Sequence, residues 1–343
     1  MSEDSEYPIW QRSHRSSPSV LTARTWRRVA VHSFQYKRKE GARGTMRSPE
    51  KVLNSLQEHS AQSDYVYDRL YRNLYNQDFF LQAYQNIYAN QGNMTVGTDG
   101  KTIDAMSLER INRLIETLKD ESYQPNPSRR TYIPKKNGKL RPLGIPSVDD
   151  KLVQEVVRMI LEAIYENSFE NCSHGFRPNR SCHTALRQIQ NRFTRCKWFV
   201  EGDIKGFFDN IDHNTMIAIL QKRIKDDRFL RLIRKFLNAG YMEDNHLYQS
   251  YSGTPQGGII SPILANIYLD QFDKYMMILK ENFDKGKTRG VNAEYKKLSD
   301  KRMALKRKMT KAKSEEEKQA LLGEIREFDK IHKSIPCKAM SLT

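Results

Sequence analysis

The chain is short of three things, and each shortage narrows what it can be. It has only four cysteines among its 343 residues. Cys172, Cys182, Cys196 and Cys337 are scattered, without the spacing of a metal site or a disulfide framework. They read as reduced packing thiols, which suits a cytoplasm-like compartment. No apolar run reaches the roughly 18 residues that a spanning helix needs, so an integral membrane protein is not expected. Acid is scarce relative to base, with 41 Asp and Glu against 58 Lys and Arg, for a net charge of +17 and a pI near 9.6. Such a surplus repels itself unless a polyanion neutralises it. Nucleic acid is the usual partner, and a membrane surface is the rival. Hydrophobic residues make up 38% and mean hydropathy is −0.76, so a core is affordable only under a very polar surface. The length suits two domains or one large composite.

Residues 1–47 form a Ser- and Arg-rich leader without apolar periodicity, ending in Lys37-Arg38-Lys39 and the glycines Gly41 and Gly44. It is expected to be disordered. A basic RNA-touching tail, a loose organellar presequence, or translated upstream sequence with Met46 as the start are all open. From residue 48 the pattern is regular. Aromatics spaced three and four apart over Tyr65–Tyr75 and Phe79–Tyr88 predict amphipathic helices. Ser107 caps a helix striped by Leu108, Ile111, Leu114, Ile115 and Leu118. Arg130–Pro134 and Leu140–Gly144 predict two strands joined at Lys136-Asn137-Gly138-Lys139, because Asn-Gly tolerates the positive φ of a tight hairpin. Helical spacing resumes from Val153 to Ile164 and again over Ala185, Leu186, Ile189 and Phe193. Between these two helices Ser173–Pro178, with Arg177 and Arg180, reads as a basic loop.

Two stretches bear on chemistry. Trp198-Phe199-Val200 reads as a buried strand with Asp203 near its end, and Asp212 as the cap of a helix carrying Met216, Ile217, Leu220 and Ile224. A strand-end carboxylate is well placed to hold Mg²⁺, which takes one or two carboxylates together with substrate phosphates. The alternative is that Asp203, Asp209 and Asp212 are ordinary turn and cap residues. In the second stretch, Gly253-Thr254-Pro255-Gln256-Gly257-Gly258 precedes Ser261-Pro262, a strong helix start. Gly257 and Gly258 allow a base or sugar near the backbone, and Gln256 can donate and accept hydrogen bonds. A plain turn is the alternative.

Taken together, the basic hairpin, Gly175-Phe176-Arg177-Pro178, Asp203-Ile-Lys-Gly-Phe-Phe-Asp209, and Gly253-Thr-Pro-Gln-Gly-Gly258 followed by Ser261-Pro262 stand in the order of the fingers and palm of a reverse transcriptase. Their wording, with Asn93-Met94-Thr95-Val96-Gly97-Thr98-Asp99-Gly100 before them, resembles the group II intron-encoded branch over residues 48–279. The resemblance implies an α+β right-hand polymerase, with helical fingers, a basic hairpin and an incomplete antiparallel palm sheet. It implies RNA-directed DNA synthesis from dNTPs on a DNA primer and an RNA template, with two Mg²⁺ (or Mn²⁺), and recognition of intron RNA.

Residue by residue, the resemblance makes Asp203 a metal-binding aspartate, with the Ile204 carbonyl beside it. Phe208 becomes the aromatic that excludes a 2′-hydroxyl, with Phe207 more a core residue. Lys136, Arg141 and Arg130 would meet the triphosphate, and Gln256 would lie beneath the nucleotide. Arg177, Arg180, Gly257 and Gly258 would face RNA.

The family carries two further aspartates in a Tyr-Ala-Asp-Asp turn after the second stretch, and no Tyr-x-Asp-Asp occurs here. A charged segment follows instead, over residues 280–343. Residues 294–333 hold 13 Lys and Arg against 8 Asp and Glu. They read as an αα-hairpin with Ser314–Glu317 as a capping box. It is either a solvated helix pair or an RNA-touching arm. The chain reads as a truncated polymerase, inactive alone, completed by a second polypeptide or a dimer partner over an open palm. The alternative is a non-catalytic, maturase-like RNA-binding fragment.

Overall fold

The computed structural model describes residues 46–335 apart from 63, 91, 136–137, 194–198, 255–256, 284–290 and 313. Residues 1–45 of the leader, Lys136, Asn137, Cys196, Trp198, Pro255, Gln256 and Cys337 therefore lie outside the described residues. The chain is helix-rich α+β, as expected. Its helices are α1 (Pro49–Ser60), α2 (Gln77–Tyr88), α3 (Leu108–Lys119), α4 (Val148–Tyr165), α5 (Cys182–Arg192), α6 (His213–Gln221), α7 (Asp227–Asn238), α8 (Ser261–Phe283), α9 (Ala293–Lys311) and α10 (Glu315–Ser334). Four strands form one sheet: β1 (Ser128–Pro134), β2 (Leu140–Ile145), β3 (Tyr241–Glu243) and β4 (His246–Tyr248).

The body is built around α4. Val148, Leu152, Val153, Val156, Val157, Ile160, Leu161 and Ile164 are all fully buried there. At 3.6 residues per turn these positions span about 220° of the helix, a face wide enough to be packed from several sides, while Lys151, Gln154, Glu155, Arg158 and Glu162 share the remainder. Helices α1 and α2 pack against it. Each such side chain contributes about 1.5–3 kcal/mol when withdrawn from water. The N-terminus of α4 is closed by Ser147, whose Oγ accepts from the Asp150 amide. Asp149 and Asp150 in the first turn complement the helix dipole. Asp150 is buried and accepts from the Tyr123 hydroxyl, the Asn126 amide (3.0 Å) and the Ser147 hydroxyl (2.7 Å). Burial lifts its carboxyl above the usual range, against the lowering effect of those donors.

Several expected devices are present. Ser107 caps α3 at Arg110 N, Asp212 caps α6 at Thr215 N, and β1 and β2 pair antiparallel from Arg129↔Ile145 to Pro134↔Leu140. The helical hairpin of α9 and α10 is also as expected, with Ser314 accepting from Glu317 N. Other expectations need correction.

The Tyr65–Tyr75 helix is instead an extended segment followed by a single 3₁₀ turn over Tyr71–Tyr75. Tyr67 bridges to Ile224, with Tyr67 N donating to Arg223 O and Lys225 N to Tyr67 O. The Asp226 carboxylate takes the Tyr71 amide at 2.8 Å. Those distant partners satisfy the backbone that a helix would otherwise have satisfied locally. The sheet is mixed, not purely antiparallel. β1 and β3 run parallel, because the chain leaving α7 swings back beside the start of β1, where Ser128 N donates to Gly240 O at 3.1 Å. The buried strand expected at 198–203 is not formed by its described residues. Phe199 and Val200 are 68% and 92% exposed, and no strand among the described residues lies alongside to take their backbone groups.

Candidate active site

Three of the stretches singled out in the sequence meet in space. After Gly206, a short 3₁₀ turn covers Phe207–Asp209 and leads into α6. The segment ahead of α8 is laced onto it. Thr254 N donates to Phe208 O (2.7 Å), Gly253 N to Ile211 O (2.8 Å), and Ser252 Oγ to Asp209 O (3.0 Å). Gly253 is needed at this crossing. Its φ is +84°, and a Cβ there would lie 2.6 Å from Phe208 O and 2.8 Å from Asp209 Cα. The hairpin closes the third side. Gly257 has φ +110°, and its Cβ would fall 2.4 Å from Gly144 O and 2.8 Å from a Leu143 methyl. The tight fit of Gly257 is therefore to protein backbone, and Gly258 is buried. Gly257 stays exposed, whereas the burial of Gly258 keeps it from the expected contact with RNA.

Two buried side chains hold the clasp, and neither stood out in the sequence. His213 is bonded through Nε2 to Gly253 O (2.7 Å) and through Nδ1 to Asn238 Oδ1 (2.9 Å). The Gln154 Oε1 on α4 accepts from Ile259 N (2.9 Å) and Ile260 N (3.5 Å), fixing the lead-in to α8. A lone His after a cap and a lone Gln inside an apolar helix give no local signal. The only hint is that a buried polar side chain must find partners.

The other residues expected to carry chemistry differ in exposure and in partners. Asp203 and Ile204 are solvent-exposed on the segment leading into the turn. Phe208 is half-buried and meets Phe207 edge-on with centroids 5.7 Å apart. Phe207 in turn meets Tyr268 of α8 at 6.0 Å, which makes it a core-packing residue as expected. On β1, Arg130 stacks over Tyr241 at 3.6 Å and lies 4.0 Å from Glu243, so its guanidinium is positioned by β3. Arg141 is exposed on β2.

The Gly-Phe-Arg-Pro loop differs from expectation. Arg177 is turned inward and is 8% exposed. Its Nε and Nη2 grip the Glu166 carboxylate at 2.9–3.2 Å, and Nη1 donates to Glu170 O and Ser173 O at 2.9 Å each. With its donors spent on the loop itself, Arg177 is a scaffold residue and not an RNA contact. Phe176 points out, with φ +53°, and Arg180 is half-buried and donates to the Asn171 carbonyl and side chain.

Polymerase chemistry of the expected kind needs a Mg²⁺ pair bridging substrate oxygens, and several carboxylates to hold it. Among the described residues there is no group of three or more His, Cys, Asp or Glu able to hold a metal ion. At the expected position this chain offers the Asp203 carboxylate and the Ile204 carbonyl. That donor set does not make up a two-ion centre.

The profile of the family described as reverse transcriptase (RNA-dependent DNA polymerase) matches residues 133–301. The chain is 48% identical over 298 residues to the group II intron-encoded protein LtrA of Lactococcus lactis subsp. cremoris, covering 87% of this chain and 49% of that protein. It is 41% identical over 254 residues to the putative COX1/OXI3 intron 2 protein of Saccharomyces cerevisiae, covering 73% of this chain and 30% of that one. With protein YkfC of Escherichia coli K12 it shares 39% over 230 residues, 64% of this chain and 59% of that protein. The chain thus spans about half the length of LtrA and less than two thirds of the other two. Among solved structures it is similar to a chain of a partial Cas6-RT-Cas1–Cas2 complex, with a TM-score of 0.42 and 19% identity, over 71% of this chain and 41% of that chain.

Proposed function

The chain belongs to the group II intron reverse transcriptase and maturase family, and from that premise we propose that it is the fingers and part of the palm of an RNA-directed DNA polymerase. The observation that carries the proposal is the clasp. It ties Phe208 and Asp209 to Ser252, Gly253 and Thr254, and Gly257 to Leu143 and Gly144 of the hairpin, while Asp203 and Arg141 stay exposed. A primer 3′-hydroxyl attacking a nucleotide α-phosphate needs chiefly positioning and charge neutralisation.

The residues of this chain would divide that work. Arg130 and Arg141, with Lys136, would meet the triphosphate, Arg130 exchanging its 4.0 Å contact with Glu243 for phosphate oxygens. Phe208, held from below by Phe207, would fill the space of a 2′-hydroxyl. Gln256 would support the nucleotide. Asp203 is the one metal carboxylate this chain would supply, with Mg²⁺ as the ion and Mn²⁺ as its substitute. Template and intron RNA would be held through phosphates and 2′-hydroxyls by the basic surface. No helix of the described chain is long and apolar enough to cross a membrane, and a bacterial cytoplasm is the compartment proposed.

The test is primer extension on an RNA template with Mg²⁺, using the purified chain alone and with an added polypeptide carrying the Tyr-Ala-Asp-Asp turn and thumb. Synthesis only in the completed mixture is expected. Robust synthesis by this chain alone would contradict the reading. A second reading, a maturase-like fragment that binds intron RNA without catalysis, is favoured by the single carboxylate of the site. Its signature would be salt-sensitive RNA binding with no synthesis in either mixture.

A further inference from the structure

The arm formed by α9 and α10 divides its charge unequally. The sequence of α9 holds eight Lys and Arg against two acids, and that of α10 four against six. On α9 six of the eight cations also share one side. At 3.6 residues per turn, Lys296, Lys297, Lys301, Arg307, Lys308 and Lys311 fall within an arc of about 140°, which also holds Asp300 and borders Glu294, so the face carries six cations against at most two acids. All six are exposed, and none has an ion-pair partner among the described residues. The opposite side of α9 carries half-buried Leu298, Leu305 and Met309, together with Arg302, which pairs with Asp329 of α10. Ile325 of α10 is buried. The apolar stripe of the helix is therefore used up within the arm, and the cationic face is the one left outward.

We propose that this face of α9 is a docking surface for the phosphate backbone of an RNA stem. From Lys296 to Lys311 the stripe runs about 22 Å at 1.5 Å per residue. That is on the order of six phosphates of one strand at duplex spacing, against six side chains. A membrane-surface helix would turn its apolar stripe outward toward lipid, whereas here that stripe packs on α10. An acidic protein partner would need apolar anchors among the cations, and the arc itself holds none larger than Ala304, with Met303 only at its border. The choice of RNA over DNA rests on the function proposed above, and the shared chemistry is a polyphosphate duplex.

The experiment uses the full chain and a labelled RNA stem-loop, with a DNA duplex of the same sequence as competitor and anionic vesicles as a third arm. The variant replaces Lys296, Lys297, Lys301, Arg307, Lys308 and Lys311 with Gln, which keeps helix propensity. A control variant replaces Lys51, Arg72, Lys101, Arg113 and Lys225 with Gln, all exposed cations of the body. The stem-loop Kd should rise by at least roughly tenfold in the arm variant, and the slope of log Kd against log salt should fall by roughly four. The control should change much less, and thermal unfolding should be unaltered in both. Equal losses in the two variants, no loss in the arm variant, preference for DNA, or preference for vesicles would each overturn the proposal. Completed primer extension is run on the same wild-type sample. Extension with an unaffected arm variant removes the arm alone, whereas no extension and no RNA binding removes the functional reading beneath it.

Discussion

Helix α4 and the segment 199–206 are both apolar or mixed stretches within the part of the chain that matters for the site, yet they end in opposite environments. Eight side chains of α4 are fully buried, while Phe199, Val200 and Ile204 are exposed at 68%, 92% and 57%. The difference is one of partners. α4 satisfies its own backbone and needs only side-chain packing, which α1 and α2 provide. A β-strand must borrow hydrogen bonds from a neighbour, and no strand among the described residues offers them to 199–206. Stability therefore resides in the helical body, and the site lies on a less supported margin tied down by the clasp of His213, Gly253 and Gln154.

That contrast can be broken at its strongest point. Leu161→Ala in α4 should lose about 2–5 kcal/mol, since it opens a cavity in a packed interior. Val200→Ala should change stability by no more than about 0.5 kcal/mol. Urea unfolding of both variants makes the comparison, and equal effects would mean that 199–206 is packed in solution. Next in size is Arg177→Ala, which leaves the Glu166 carboxylate without its partner. A loss of about 3 kcal/mol is expected, with the RNA affinity of the still-folded fraction unchanged. A weakened affinity at unchanged stability would return Arg177 to the RNA-facing set.

A smaller effect concerns pH. Burial raises the folded-state pKa of Asp150 above that of the unfolded chain. Its titration therefore favours folding most at pH below the unfolded value, and this contribution is lost as pH rises through the folded value. Asp150→Asn removes the titration while keeping the shape. The stability of wild type relative to Asp150→Asn should thus increase as pH is lowered from neutrality toward 4. A difference that is flat or moves the other way would show that the hydrogen bonds from Tyr123, Asn126 and Ser147 outweigh burial.

How legible all this was depended on the range of the interaction. The caps at Ser107, Asp212 and Ser314, the pairing of β1 with β2 and the apolar stripes of α3 and α4 are local, and their residues declare them. The family resemblance likewise rested on short runs such as Asp203–Asp209 and Gly253–Gly258, and these proved to be neighbours in space. The parallel pairing of Ser128 with Tyr241 was not legible, since no pattern in either strand names a partner more than a hundred residues away. Neither was the inward turn of Arg177. A basic residue between Gly-Phe and Pro looks solvent-facing until Glu166 and the carbonyls of Glu170 and Ser173 are found around it. The roles of His213 and Gln154 depend on the same long-range folding. Trp198-Phe199-Val200 has strand composition, but composition cannot supply a ladder.

The most direct test of the account compares two aspartates six residues apart, both exposed. In primer extension by the chain supplied with a polypeptide carrying the Tyr-Ala-Asp-Asp turn and thumb, Asp203→Ala should abolish Mg²⁺-dependent synthesis while RNA binding and unfolding stay as in wild type. Asp209→Asn should keep most of the synthesis. Retained synthesis in Asp203→Ala, or an equal loss in both variants, would contradict the assignment of Asp203 as the metal carboxylate this chain supplies.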